Sequence, residues 1–111
     1  MPRQVKAMQR IQRNPNVMWR EESDALAEAQ SGLERGDDVG DLGTAVLFSG
    51  GAMLSINFLG TEIWKLCDGR GIDSIVAELL EQFDVEEDLL RDDVQAFLDE
   101  LSKKGFITYA E

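Results

Sequence analysis

The chain has no histidine and a single cysteine, Cys67. Without histidine, its 111 residues contain no Ser/His/Asp triad, no Cys/His pair and no His-ligated zinc or non-haem iron centre. One thiol makes no intramolecular disulfide and cannot supply the several thiolates of an iron–sulfur cluster, which fits a reducing compartment. Any chemistry would fall to carboxylates, a lone thiol or hydroxyls. Also missing is an apolar run of about 18 residues, the length of a membrane span. The opening Met-Pro-Arg-Gln-Val-Lys leads into no apolar segment of signal-peptide type. The chain is therefore expected to be cytoplasmic, with no catalytic residue, no metal site and no cofactor of its own.

Positive charge is scarce and unevenly spread. Eleven Lys+Arg stand against 22 Asp+Glu, a formal net charge of −11 that repels nucleic-acid phosphates and anionic membranes. Arg3, Lys6, Arg10, Arg13 and Arg20 nevertheless give the first twenty residues +5 with no acid among them, leaving −16 on the rest. Residues 1–16 read as a basic arm, either solvated or in contact with an acidic partner.

A hydrophobic fraction of 43% is enough for one small core. Asn14-Pro15-Asn16 is turn chemistry, and Val17 to Glu22 reads as a first strand. From Ser23 to Gly43 the composition turns to Ser, Asp and Gly. This predicts a long acidic loop of 21 residues with one helical turn around Asp24 to Gln30. Asp37-Asp38-Val39-Gly40-Asp41 lacks the ligand spacing and terminal Glu of an EF-hand, so an acidic loop is the better account. Thr44 to Ser49 and Ala52 to Asn57 are apolar runs joined by Gly50-Gly51, the signature of a β-hairpin. Alternation puts Ala52, Leu54 and Ile56 on one face and Met53, Ser55 and Asn57 on the other.

Three helices are predicted to follow. The first runs from Leu59 to Cys67, with Asn57 as cap and Gly69 as stop. The second starts at Asp73 as N-cap, with Ile72 as hydrophobic staple, and buries Ile75, Leu79, Leu80 and Phe83. The third covers Glu87 to Lys104, with acids at its positive end, Lys103 and Lys104 at its negative end, and a stripe of Leu90, Val94, Phe97, Leu98 and Leu101. Phe106 to Tyr109 forms an extended tail. The expected class is α+β, a small three-stranded antiparallel sheet followed by three helices in a winged helix-turn-helix-like outline.

That outline raises DNA recognition, and charge argues against it. Glu86 to Lys104, the natural recognition helix, holds three bases against seven acids, whereas a groove-reading helix presents Arg, Lys, Asn or Gln. Asn57 closing a strand, Glu62-Ile63-Trp64-Lys65-Leu66-Cys67-Asp68-Gly69, an Asp-started helix, and Asp93-Val94-Gln95-Ala96-Phe97-Leu98-Asp99-Glu100-Leu101 ahead of Lys104-Gly105 together resemble the PqqD family. These are the peptide chaperones, or precursor-peptide recognition elements, of ribosomally made, post-translationally modified peptides. The resemblance spans about Asn14 to Ile107, within a domain read as residues 17–109.

The resemblance implies a non-catalytic module that binds the leader of a precursor peptide and presents it to a radical S-adenosylmethionine maturase. In such domains the leader adds as a strand to the sheet edge, in the groove between the third strand and the third helix. Independently, an exposed strand edge is a template for strand addition. Carried over to this chain, the guest would pair with Ala52, Met53, Leu54, Ser55 and Ile56, while Arg91, Gln95 and Asp99 would flank the groove. Met53 is equally explained as sheet packing, and the three helix residues as a solvated face. Trp64, Cys67 and Asp68-Gly69 read as structural. One departure is the long interval from Ser23 to Gly43, where the family has a short turn. It suggests a PqqD-like protein of a system other than pyrroloquinoline quinone synthesis. The partners implied are a leader peptide and the maturase, with neither nucleic acid nor membrane. The alternatives are an acidic winged-helix transcriptional regulator and a general protein–protein adaptor.

Overall fold

The computed structural model describes residues 10–40 and 42–110. The elements among these residues run β1 (Arg10–Arg13), β2 (Met18–Glu21), α1 (Ser23–Glu34), β3 (Ala45–Ser49), β4 (Ala52–Ile56), α2 (Phe58–Lys65), β5 (Asp68–Arg70), α3 (Ile72–Gln82), α4 (Glu87–Lys103) and β6 (Ile107–Ala110). The class is α+β as expected. Among the described residues the count is corrected to two three-stranded sheets and four helices, which departs from the expected outline of one sheet and three helices. The chain divides into two units: residues 15–62, and residues 63–111 together with the first fourteen.

In the unit of residues 15–62 the sheet order is β2-β3-β4, antiparallel throughout. The hairpin forms where the Gly-Gly link predicts it: Gly50 (φ 54) and Gly51 (φ 84) take the two left-handed positions of a type I′ turn. Ala45, Leu47 and Ile56 are buried on one face of this sheet. The interval from Ser23 to Gly43 is corrected, because its first half is the twelve-residue helix α1. Ala25, Leu26, Ala27, Glu28, Ala29 and Gln30 are strong helix formers. Gly32, which reads as a breaker, instead allows close packing: a Cβ there would lie 2.7 Å from Val39 Cγ1. The helix stops at Gly36 (φ 81), with the Asp37 N–H donating to Gly32 O and the Gly36 N–H to Leu33 O, the paired bonds of a Schellman ending.

In the other unit the sheet order is β5-β1-β6, so part of the segment read as a basic arm is a central strand. Residues 1–9 of that arm lie outside the described residues. Gly69 (φ 107) is left-handed as expected but serves a different end. Ile11 pairs with Arg70 and Gln12 with Asp68, which makes Gly69 the extra residue of a bulge in β5 rather than a helix stop. The start of α3 is also corrected. Its N-cap is Gly71, Ile72 is the first helical residue, and Asp73 sits inside the first turn. Ile75, Val76 and Leu79 are buried, while Leu80 and Phe83 are half-buried. Along α4 the predicted stripe holds, with Leu90, Val94, Leu98 and Leu101 buried and Phe97 half-buried. It too ends in a Schellman arrangement, Phe106 N–H to Leu101 O and Gly105 N–H to Ser102 O, after which the tail pairs with β1 as strand β6.

Candidate functional site

Among the described residues β4 is the outermost strand of its sheet, bonded along one side to β3. Which of its amides face outward follows from the register. A type I′ turn closes on a pair that exchanges both N–H···O bonds, here Ser49 and Ala52, and bonded pairs then alternate along the ladder. Leu47–Leu54 and Ala45–Ile56 are therefore bonded pairs, while Phe48–Met53 and Val46–Ser55 are not. Two further bonds agree. The Thr44 N–H donates to Ile56 O at 2.8 Å, so that carbonyl points at β3, and the Glu22 N–H donates to Thr44 O at 2.9 Å, so alternate residues of β3 serve β2. Ala52, Leu54 and Ile56 thus spend their main-chain groups on β3, and Met53 and Ser55 direct theirs to the outer edge.

The side chains alternate as the sequence predicts. Ile56 is buried and Leu54 half-buried on the inner face, and Met53 and Ser55 are exposed on the other. Cross-strand pairing adds two residues that sequence patterning did not single out. Met18 is opposite Phe48 and Phe48 opposite Met53, so these three form one apolar row across the outer face. Only the strand register reveals it, because Met18 and Met53 are far apart in the chain.

Asn57 closes β4 and caps α2, its Oδ1 accepting the Gly60 N–H at 2.8 Å, as expected. Its amide also donates to Gly40 O at 3.0 Å. Thr44 and Thr61, both fully buried, share a hydroxyl bond of 2.7 Å. Near α1, Arg35 grips Asp37 at 3.0 Å, and Asp38 Oδ1 accepts the Gly40 N–H at 2.9 Å. The acids of this segment thereby shape turns, and no group of three metal-ligating side chains occurs among the described residues.

The helix residues implied by the resemblance all lie on α4, in the other unit, and each has partners within it. Arg91 donates to Asp73 Oδ1 at 2.6 Å and to Glu87 Oε2 at 3.4 Å, which raises its already high pKa and ties α4 to α3. Gln95 donates to Asp99 Oδ1 at 3.0 Å. Burial, with the negative charge of Asp99, pushes the Tyr109 phenol above its ordinary value. These contacts give Arg91, Gln95 and Asp99 a structural account of their own.

Trp64 and Cys67 are packing residues: both are buried, and burial pushes the Cys67 thiol up to about 12, reinforced by Asp68 against the opposing charge of Arg13. A thiol so held is no nucleophile at neutral pH. Asp68 does not chiefly serve neighbouring backbone as expected. It accepts two bonds of 2.9 Å from Arg70, which hold its carboxyl below the usual range. Arg13 donates to the carbonyls of Trp64 and Lys65 at 3.1 and 2.9 Å, with its guanidinium 5.9 Å from the indole centroid, so it caps the end of α2. No described helix is long and apolar enough to cross a membrane.

Residues 33–107 match the model of the family described as Coenzyme PQQ synthesis protein D. Neither curated proteins nor solved structures yield a match.

Proposed function

Since the chain belongs to the PqqD family, we propose that it binds the leader of a ribosomally made precursor as an added strand along β4 and presents it to a radical S-adenosylmethionine maturase. Members of this family are non-catalytic, peptide-binding accessory proteins in the biosynthesis of pyrroloquinoline quinone and related modified peptides. They work with the precursor peptide and the enzymes that process it. The observation that carries the finer proposal is the outermost position of β4, with the main-chain groups of Met53 and Ser55 turned away from β3. Two such residues offer two donors and two acceptors to a guest, whose side chains then contact those of Met53 and Ser55 on one face and Ala52, Leu54 and Ile56 on the other. Arg91, Gln95 and Asp99 are already bonded within their own unit, so the proposal rests on β4 alone.

The chemistry is left to the maturase, in keeping with a chain that has no histidine and one buried thiol. Residues 17–109 are proposed as the recognition domain. The test is titration of the labelled leader of a precursor encoded beside this gene. Saturable binding at roughly tens of micromolar or tighter is expected; its absence, or tight salt-sensitive binding to duplex DNA instead, would overturn the proposal.

A further inference from the structure

The outer face of the β2-β3-β4 sheet bears an apolar row that runs to the edge. Met18, Phe48 and Met53, paired in sequence across the three strands, are 73%, 36% and 71% exposed. The next row on the same face is Arg20, Val46 and Ser55, with Arg20 held by Glu22 at 3.1 Å. Cross-strand neighbours are the unit in which a sheet gains side-chain packing, so an apolar row ending at an outermost strand is completed by one side chain from a fourth strand. Resting on the reading of β4 as the docking edge, we infer that the guest is selected on this outer face by one apolar side chain lying beside Met53, on a segment of net positive charge.

The occupant follows from three features. Met53 presents an outward N–H and carbonyl, so the guest residue lying directly opposite it points its side chain to the same face as Met53. The flexible thioethers of Met18 and Met53 adapt to leucine, isoleucine, methionine or phenylalanine alike. Residues 15–62 carry two bases, Arg20 and Arg35, against nine acids, a net charge of −7 that draws a cationic segment and repels an acidic one.

The test pans short randomised peptides displayed on phage against the full chain and against its Met53→Thr and Phe48→Thr variants, with circular dichroism checking that the variants are folded. The wild type is expected to enrich peptides with one shared apolar position flanked by lysine or arginine. A resynthesised peptide should bind Met53→Thr about tenfold more weakly. Alanine at its apolar position should cost about as much on the wild type and little more on the variant. If the wild type enriches nothing, β4 is not a peptide-accepting edge and the underlying proposal falls with this one. If binding is abolished by Ser55→Pro but equal on the wild type, Met53→Thr and Phe48→Thr, or if acidic peptides are enriched, only this inference is overturned.

Discussion

Replacing Ser55 by proline removes one N–H from β4, and the register says which side of the strand loses it. The Ser55 amide faces the outer edge, so every β3–β4 ladder bond survives and the preceding residue, Leu54, is already in the extended conformation that proline requires. The folded state should lose about 1 kcal/mol or more from the fixed φ, since an antiparallel strand runs at more extended φ than proline allows. A guest strand fares worse. It loses one main-chain bond, about 0.5–1.5 kcal/mol net, and its carbonyl faces a ring in place of a donor. Together these amount to about 1.5–3 kcal/mol, or roughly ten- to a hundredfold in Kd. Leu54→Pro is the contrast: its amide belongs to the ladder, so it should destabilise the fold by about 2 kcal/mol or more. Ser55→Ala keeps the amide and should bind leader within about twofold of wild type. Fluorescence anisotropy with labelled leader, beside thermal melts, separates the three. A Ser55→Pro protein that melts like wild type and binds leader equally well would show that the guest is not held at this edge.

Gly32→Ala should destabilise by about 1–3 kcal/mol despite alanine's better helix propensity, because its Cβ would press on Val39 Cγ1; Val39→Ala in the same chain should recover most of the loss in urea melts. Thr61→Val leaves the buried Thr44 hydroxyl without its 2.7 Å partner and should cost about 1–3 kcal/mol. The Thr44→Val/Thr61→Val double variant should then cost clearly less than the sum of the singles, and additivity would refute the coupling. The Cys67 thiol gives an alkaline signature. In the unfolded chain it ionises around its ordinary 9.0, whereas the folded state holds its proton to about 12. The unfolded state therefore binds fewer protons in that window, and stability falls as pH rises. Between pH 7 and pH 10 the wild type should lose about 1.4 kcal/mol more than Cys67→Ala, and parallel pH–stability curves would contradict the burial.

The elements legible in the chain are those specified by neighbouring residues. Gly50-Gly51 between apolar runs marks the hairpin, Asn57 the start of α2, and the Leu90 to Leu101 stripe with Gly105 the course and end of α4. Where distant packing decides, local signals mislead. Gly32 looks like a breaker until Val39 is found against it, and Asp73 looks like a cap until Arg91 claims its carboxylate. Strand β1 has one buried apolar residue, Ile11, among Arg10, Gln12 and Arg13, and is a strand because β5 and β6 flank it. The candidate site divides in the same way. The strand itself was readable from alternation, but its outward amides and the Met18–Phe48–Met53 row exist only once the register is known.

The central place of β1 bears on the order in which the molecule can assemble. Its four residues pair with β6, close to the far end of the described chain, in the register Arg10–Ala110 to Arg13–Ile107. On a ribosome, β1 stays without this neighbour until every element from β2 to α4 has been made. The β2-β3-β4 sheet pairs segments close in sequence and can form during synthesis. The edge proposed to receive a peptide would thus be available before the β5-β1-β6 sheet closes.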